Sequence, residues 1–462
     1  MRLTAGAVTP MGAKMRQADA LEVRAREMAL AAGFDPDSRV EFKEGRTQPA
    51  WCTFRDKARD ERNALAAQEA QNAAHVMGQP DQYKNATLTI YGQHDEGTLS
   101  QMETCMKVGN VVAATICADG HLGYAQPVGA VIAYENQVSI SGVGFDIGCG
   151  NMAVQLDLPY LSIKDRAHEI LQQIRSTISF GVGQVNDAKP EHDLFDDSEA
   201  WKNSGMMDYR QKARTQLGTV GSGNHYIDLF RDEDGMVWIG VHFGSRGLGH
   251  TTATRYLKKA GGKDGINVPP AVVDDTSDIG EQYLAGMELA GRYAYAGREW
   301  VVEKVRSIVG GEVTHMVHNH HNYAWKEVHN DRSLWVVRKG ATPAWPGQEG
   351  FVGGSMGEEA VIIEGAPHNE KSKASLYSTV HGAGRAFGRM AAKRTFSKEQ
   401  MHEWLQKEQV ILAGGDVDES PMAYKRLHEV LSIHDGTINI KHRLKPFAVA
   451  MAGPDDFDPW KD

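Results

Sequence analysis

A chain of 462 residues with 41% hydrophobic and 24% charged side chains has the composition of a globular protein, long enough for a large catalytic domain with an attached smaller region, and it contains no apolar run of the length that spans a bilayer. Its formal net charge of -10 excludes nucleic-acid binding through a global basic field, because neutralising phosphates needs clustered Lys and Arg, so any such contact must be local. Four cysteines, Cys52, Cys105, Cys117 and Cys149, are too irregularly spaced for a disulfide framework, and the first residues lack a signal-peptide apolar core; both features point to a reducing cytoplasm.

Residues 11–33 carry a helical pattern rich in Ala, Met, Arg and Glu that stops at Gly33, and residues 55–77 repeat it as far as Gly78, with a Pro-, Gly- and charge-rich connection between them. Residues 1–85 hold no cluster of donor side chains and are expected to form a helical N-terminal extension, with the catalytic domain over residues 86–462. A strand is predicted over residues 85–91, then a helix with Leu99, Met102 and Met106 on one face. Residues 128–133 and 137–141 read as two short strands joined by a turn.

Ser162 opens a predicted helix with a capping-box-like pattern, and Ile163, Ala167, Ile170, Ile174 and Ile178 keep helical spacing, as a core stripe does. The polar, acidic segment 187–197 reads as a loop, either a lid or a solvated excursion. Residues 280–309 form a long helical pattern interrupted by small residues such as Gly286, Gly291 and Gly297, whose cost to the helix is offset where another element approaches closely. Ser397 to Gln400 is a capping box, and Pro421 takes a first helical position.

The stretch Ser141-Gly-Val-Gly-Phe-Asp-Ile-Gly-Cys-Gly-Asn151 places Asp146 and Cys149 among four glycines. Such a backbone can take turns closed to other residues and bend both donors toward one point, as a metal-binding loop requires. Four later segments set histidine beside Gly or Asn: Gly221-Ser-Gly-Asn-His225, His242-Phe-Gly-Ser-Arg-Gly-Leu-Gly-His250, His318-Asn-His-His-Asn322 and Val380-His-Gly-Ala-Gly-Arg385. Recurrence of this pattern beside an Asp/Cys loop argues for one shared site. Imidazole, carboxylate and thiolate together suit a transition metal. A single Cys and widely scattered donors do not fit a closed structural zinc site, so the pattern points to catalysis. No P-loop occurs, which disfavours an ordinary NTPase.

These segments, with Asp119-Gly-His-Leu-Gly-Tyr, Gly218-Thr-Val-Gly, Val337-Arg-Lys-Gly-Ala-Thr and Gly354-Ser-Met-Gly, resemble in identity and order the motifs of the RtcB family of GTP-dependent RNA-splicing ligases, from about residue 85 to Gly453. The resemblance implies an α+β fold in which central β-sheets surround a dinuclear metal cleft, with two Mn ions and GTP as cofactors. By motif, Asp146, Cys149 and His225 correspond to the ligands of one metal, and Cys149, His242 and His321 to those of the other. Asn224 and Arg246 correspond to phosphate contacts, Asp228 to an acidic residue near the guanine, and His381 to the histidine that takes GMP, followed by the nucleotide-binding run Gly382, Ala383, Gly384 and Arg385. The implied partner is RNA ending in a 3′-phosphate or 2′,3′-cyclic phosphate and a 5′-hydroxyl; an accessory activating protein stays open.

The chain departs from the common form of that family. Where ligases read Asp-Ile-Asn-Cys-Gly-Val-Arg, this sequence has Asp146-Ile-Gly-Cys-Gly-Asn-Met152, and Met451 stands where ligases carry a nucleotide-contacting Lys. A diverged paralogue is therefore expected, and two other readings stand beside ligation: a metal-dependent phosphodiesterase that opens cyclic ends without a covalent guanylate, and a non-catalytic RNA-binding protein.

Overall fold

A computed structural model describes residues 28–29, 31–32, 39–43, 46–49, 75–77, 86–454 and 456. The chain divides into two compact units, Met1–Ala73 and Ala74–Asp462. In the first, the connection expected between two helices contains an antiparallel hairpin, Arg39–Lys43 with Arg46–Pro49, and most of the predicted helical stretches 11–33 and 55–77 lies outside the described residues. At residues 75–77 the helical expectation fails. His75–Met77 is a strand paired antiparallel with Thr87–Ile90, where it takes up backbone groups that an open sheet edge leaves unpaired.

The second unit is built on two large sheets, as the α+β reading expects. A six-stranded sheet runs in the order Asn322–His329, Arg332–Lys339, Val128–Tyr134, Val111–His121, Thr87–Ile90, His75–Met77. An eight-stranded sheet runs Val313–His320, Gly150–Pro159, Met236–Phe243, Tyr226–Arg231, Ile438–Met451, Ala360–Gly365, Glu349–Val352, with Ile411–Ala413 added in parallel to Ile438–Met451. The chain passes from the six-stranded to the eight-stranded sheet between Tyr134 and Gly150, and returns between His320 and Asn322. Both crossings carry candidate ligands.

The predicted turn at residues 134–136 does not join two paired strands. Val128–Tyr134 has both edges occupied, by Val111–His121 and Arg332–Lys339, so Gln137–Ser139 pairs instead with Val272–Asp274. One helical turn, Ile140–Val143, then delivers the glycine loop, with Ser139 Oγ accepting from Gly142 N at 3.0 Å. Asp278–Val309 is a 32-residue helix, about 48 Å long at 1.5 Å per residue. Its small residues act as predicted: a Cβ at Gly286 would lie 2.8 Å from Thr252 Cγ2, and one at Gly291 2.8 Å from Tyr323 Cε2.

The stripe Ile163, Ala167, Ile170, Ile174, Ile178 is core throughout. Ser162, however, caps nothing; its hydroxyl donates to Pro159 O (2.6 Å), and the α-helix begins at Ala167 after two turns of 3-10 helix. The 187–197 loop is pinned at its far end, where Leu194 and Phe195 are buried and Trp201 Nε1 donates to Leu194 O at 2.9 Å. The Ser397–Gln400 capping box forms, and Pro421 opens a 3-10 turn. Among the described residues no helix is long and apolar enough to cross a membrane.

Candidate active site

The floor of the site is a row of side chains across the eight-stranded sheet. Register places Asn319 opposite Asn151, Asn151 opposite His242, His242 opposite Tyr226, and Tyr226 opposite Met451. Two residues further along their strands, Asp228 and Val449 face each other on the same side, because alternate residues of a pleated strand share a face. A cavity of about 290 Å³ opens above this floor. Asp146, Cys149, Asn224, His225, Asp228, His242, His321, His381, Gly382, Ala383, Gly384 and Arg385 all line it, so the predicted residues converge, with one exception. Arg246 stands outside the lining, its guanidinium donating to Thr219 Oγ1 (3.0 Å) and to Gly181 O.

The glycine loop bends as its composition predicts. Gly144 and Gly148 have φ of 89° and 72°, and Cys149 N donates to Asp146 O at 3.0 Å, so both donors turn into the cavity. Cys149 Sγ lies 3.7 Å from His225 Nε2 and 3.6 Å from His242 Nε2, and His225 Nε2 lies 3.1 Å from Asp146 Oδ2. The ligand-capable atoms of Cys149, His225 and His242 all fall within 4.8 Å of one another.

Asn151 sets the orientation of His242. Its Nδ2 donates to Phe351 O (2.7 Å), which turns its Oδ1 toward His242 Nδ1 at 2.6 Å. The ring therefore carries its proton on Nδ1 and offers the Nε2 lone pair to the sulfur side, as a metal-binding imidazole must. His321 sits at the crossing between sheets, its N–H bonded to Cys149 O at 2.8 Å. Its ring centroid is 5.0 Å from that of His242 and 4.9 Å from that of His381.

Electrostatics make this cluster a poor resting place without a cation. Burial pushes the Cys149 thiol well up and Asp146 pushes it further, while burial drives His242 and His321 well below the ordinary histidine value. Burial alone would raise Asp146, but the His225 hydrogen bond and charge draw it below the usual carboxylate range. Among the described residues, Nδ1 of His225 and of His321 is buried without a hydrogen-bond partner. Neutral imidazoles, a carboxylate and a thiol that needs a counter-charge to ionise fit a divalent borderline metal.

Beyond the cluster stands His381, just after strand Ser378–Val380. Asp119 Oδ2 accepts from both the His381 backbone N–H (3.0 Å) and Nδ1 (2.6 Å). Asp119 is fully buried, which alone would raise its carboxyl, yet facing His381 holds it below the usual range. The imidazole is thus fixed with its proton on Nδ1, leaving Nε2 as the free nitrogen. Only glycine fits at 384, where φ is 75° and a Cβ would lie 2.2 Å from Asp119 O.

Arg385 Nη1 is tied to Glu419 (3.2 Å) and to the Tyr424 hydroxyl (3.0 Å), and Arg389 Nη1 to Asp418 (2.9 Å) and Glu419 (2.5 Å). Lys339 donates to Tyr124 O, and burial lowers its ammonium to about 8. Asp228 is 5% exposed with Oδ1 unpartnered, and burial alone pushes its carboxyl well up; the Tyr226 hydroxyl beside it is also unpartnered.

Asp119 and Lys339 both lie in motifs visible in the sequence, but neither motif reveals the task of its residue, and nothing local marks Asn151 as the partner of His242. Glu419, Tyr424 and Arg389 carry no local signal at all, because they meet the site only through the fold.

Comparison with known proteins agrees with this geometry. The family model described as tRNA-splicing ligase RtcB matches residues 101–452. The chain is 29% identical over 441 residues to the tRNA-splicing ligase RtcB of Nanoarchaeum equitans, covering 77% of this chain and 91% of that protein. It is 29% identical over 373 residues to the RNA-splicing ligase RtcB of Escherichia coli K12, covering 71% and 88%. With the RNA-splicing ligase RtcB of Mycobacterium bovis it shares 30% identity over 403 residues, covering 70% and 92%. Motif order, cleft and a match spanning well over half of the sequence lead to one conclusion: the chain belongs to the RtcB family of tRNA-splicing ligases.

Proposed function

We propose that this protein is a cytoplasmic RNA ligase that joins a 3′-phosphate or 2′,3′-cyclic phosphate end to a 5′-hydroxyl end through a guanylylated His381. The observation that carries the reading is His381 itself, whose Nδ1 is held 2.6 Å from a buried carboxylate in the same cavity as the Cys149, His225 and His242 cluster. A histidine with one nitrogen locked and the other free is arranged to act as a nucleophile. Nε2 attacks the α-phosphorus of GTP, a P–N bond forms, and the α–β bond breaks with release of pyrophosphate. A 3′-phosphate oxygen of RNA then displaces His381 from the guanylate, and the 5′-hydroxyl oxygen attacks the RNA phosphorus, releasing GMP. A cyclic end is first hydrolysed to the 3′-phosphate.

Asp146, Cys149 and His225 would hold one Mn ion and Cys149, His242 and His321 another, supplying charge neutralisation at the reacting phosphates. Asp119 keeps the His381 proton on Nδ1 throughout. Asn224 and the backbone of Gly382 to Gly384 bind phosphate oxygens, and Asp228 meets the base. None of residues 1–85 is assigned a part in this chemistry.

The test is incubation of the pure protein with Mn and GTP labelled at the α-phosphate. Label should reach the protein, survive alkali and leave in acid, since protonating the ring nitrogen makes imidazole a good leaving group, and His381→Ala should take up none. Opening of cyclic ends with no protein-bound label would instead make the protein a phosphodiesterase, and label on His381→Ala would place the nucleophile elsewhere.

A further inference from the structure

Arg298, on the long helix Asp278–Val309, is fully buried on the side of the glycine loop away from the cavity lining. Its Nη1 donates to two carbonyls at once, Gly148 O at 2.9 Å and Phe243 O at 2.6 Å. Nε donates to His318 Nε2 at 2.9 Å, and Nη2 faces His320 Nδ1 at 3.1 Å. None of these four partners is a carboxylate. A guanidinium taken wholly out of water without a bonded carboxylate is costly, and the geometry of its partners shows what that cost secures.

Gly148 immediately precedes Cys149, and Phe243 immediately follows His242. One nitrogen of Arg298 therefore fastens together two segments from different parts of the chain that carry two of the candidate ligands, whose Sγ and Nε2 lie 3.6 Å apart. His318 accepts from one edge of the guanidinium, while His320 Nδ1 packs against Nη2 and lies 2.9 Å from Gly148 O, the same carbonyl that Arg298 holds. The three histidines in His318-Asn-His-His thus divide their work: His318 accepts from Arg298, His320 sits against both Arg298 and Gly148 O, and His321 enters the cavity. Lysine cannot do the same, since a single ammonium has no rigid fork with which to meet both carbonyls and both rings.

We infer that Arg298 is a positioning residue for the metal centre, a clamp that holds the Cys149 and His242 segments at ligating separation; the inference rests on the metal-binding reading of the cavity. Partners of this kind set ligand orientation, and their loss typically weakens metal affinity by about 10–100-fold. The experiment compares Mn and Co affinity by calorimetry, and the thiolate-to-cobalt charge-transfer absorption, in the natural protein, Arg298→Lys and Arg298→Gln, each checked for a cooperative thermal transition. Arg298→Lys should keep the buried charge yet bind roughly 10-fold or more weakly, with a diminished or shifted thiolate band. Lysine restoring both affinity and band to within about twofold would overturn the clamp, as would an unchanged Gln variant. Should both Arg298 variants fail to fold, His318→Leu decides, because it frees one edge of the guanidinium: weaker binding supports the clamp, and unchanged binding overturns it. A natural protein that binds neither ion with a thiolate band fails the metal reading itself, a result distinct from any difference among variants.

Discussion

Replacing Asp119 isolates what the buried carboxylate does for His381. In Asp119→Asn the amide oxygen can keep the place of Oδ2, accepting from both the backbone N–H (3.0 Å) and Nδ1 (2.6 Å) of His381. Rotating the amide would set its NH2 against the backbone N–H, two donors facing each other, so the oxygen stays. What is lost is the charge assistance to Nδ1, roughly half of a bond worth about 1.5–3 kcal/mol, and guanylylation should slow by about 4–13-fold. Asp119→Ala loses the bond altogether and leaves the N–H of His381 without its acceptor, a further cost of about 1–3 kcal/mol, so a fall of about two to four powers of ten is expected. Single-turnover transfer of label from GTP measures both, with metal content as the control. Guanylylation by Asp119→Ala within about twofold of the natural rate would show that the carboxylate does not orient the nucleophile. The pH sign follows from the depressed carboxyl: its contribution is complete above the unfolded carboxylate value and is lost only as pH falls through the lower folded value. The ratio between the natural protein and the Asn variant should therefore stay flat from roughly pH 6 to 9.

Other perturbations separate the parts of the cavity. Cys149→Ala removes the sulfur that faces both His225 and His242 and should strip bound metal; elemental analysis with unchanged content would end its role as a bridge. Asn151→Val deletes the acceptor for His242 Nδ1 and should weaken metal binding by about 10–100-fold without changing stoichiometry, measured by calorimetry. Met451→Lys introduces a cation on the floor beside the strand pair that carries Asp228, which should draw that carboxyl down and raise preference for GTP over ATP by roughly one to two powers of ten, read as guanylylation against adenylylation. Removing residues 1–73, which end before the strand His75–Met77, should leave guanylylation intact; a truncated protein that folds but takes no label would give those residues a part in the site.

Much of the candidate site was legible because its donors are rare side chains in glycine-flanked runs, a local pattern that survives in one dimension. Asp146 and Cys149 needed only their loop; the runs around His225, His242, His321 and His381 showed from their neighbours, but the choice of histidine within each run came from the resemblance to the family. What stayed hidden depends on register and topology. Asn151 meets His242 because two strands place them opposite each other, and Asp119 meets His381 across 262 residues. The expected hairpin at 128–141 failed because the preceding strand Val111–His121 took one edge of its first strand and the distant Arg332–Lys339 took the other. Helical stripes fared better: the stripe from Ile163 to Ile178 and the close approaches at Gly286 and Gly291 follow from periodicity and residue size alone.

The departures from the common ligase form acquire meaning from where they fall. At Gly148, a Cβ would come within 3.2 Å of Gly291 Cα and of Ala294 Cβ, so the side chain absent from this loop goes with the close seat of the long helix, the helix that carries Arg298. Met152 points away from the floor into the apolar core, which has no use for an arginine. Asn151 adds an acceptor that fixes His242, so at the metal end of the row the polar group missing at Gly148 is matched by the one present at Asn151. At the far end Met451 brings nothing comparable: Asp228 and Tyr226 keep unpartnered polar atoms beside it. The ligands and His381 with its carboxylate are complete, whereas the groups beneath the base lack a cation. On the ligase reading proposed above, divergence in this chain bears on which base is accepted, and much less on the chemistry at phosphorus.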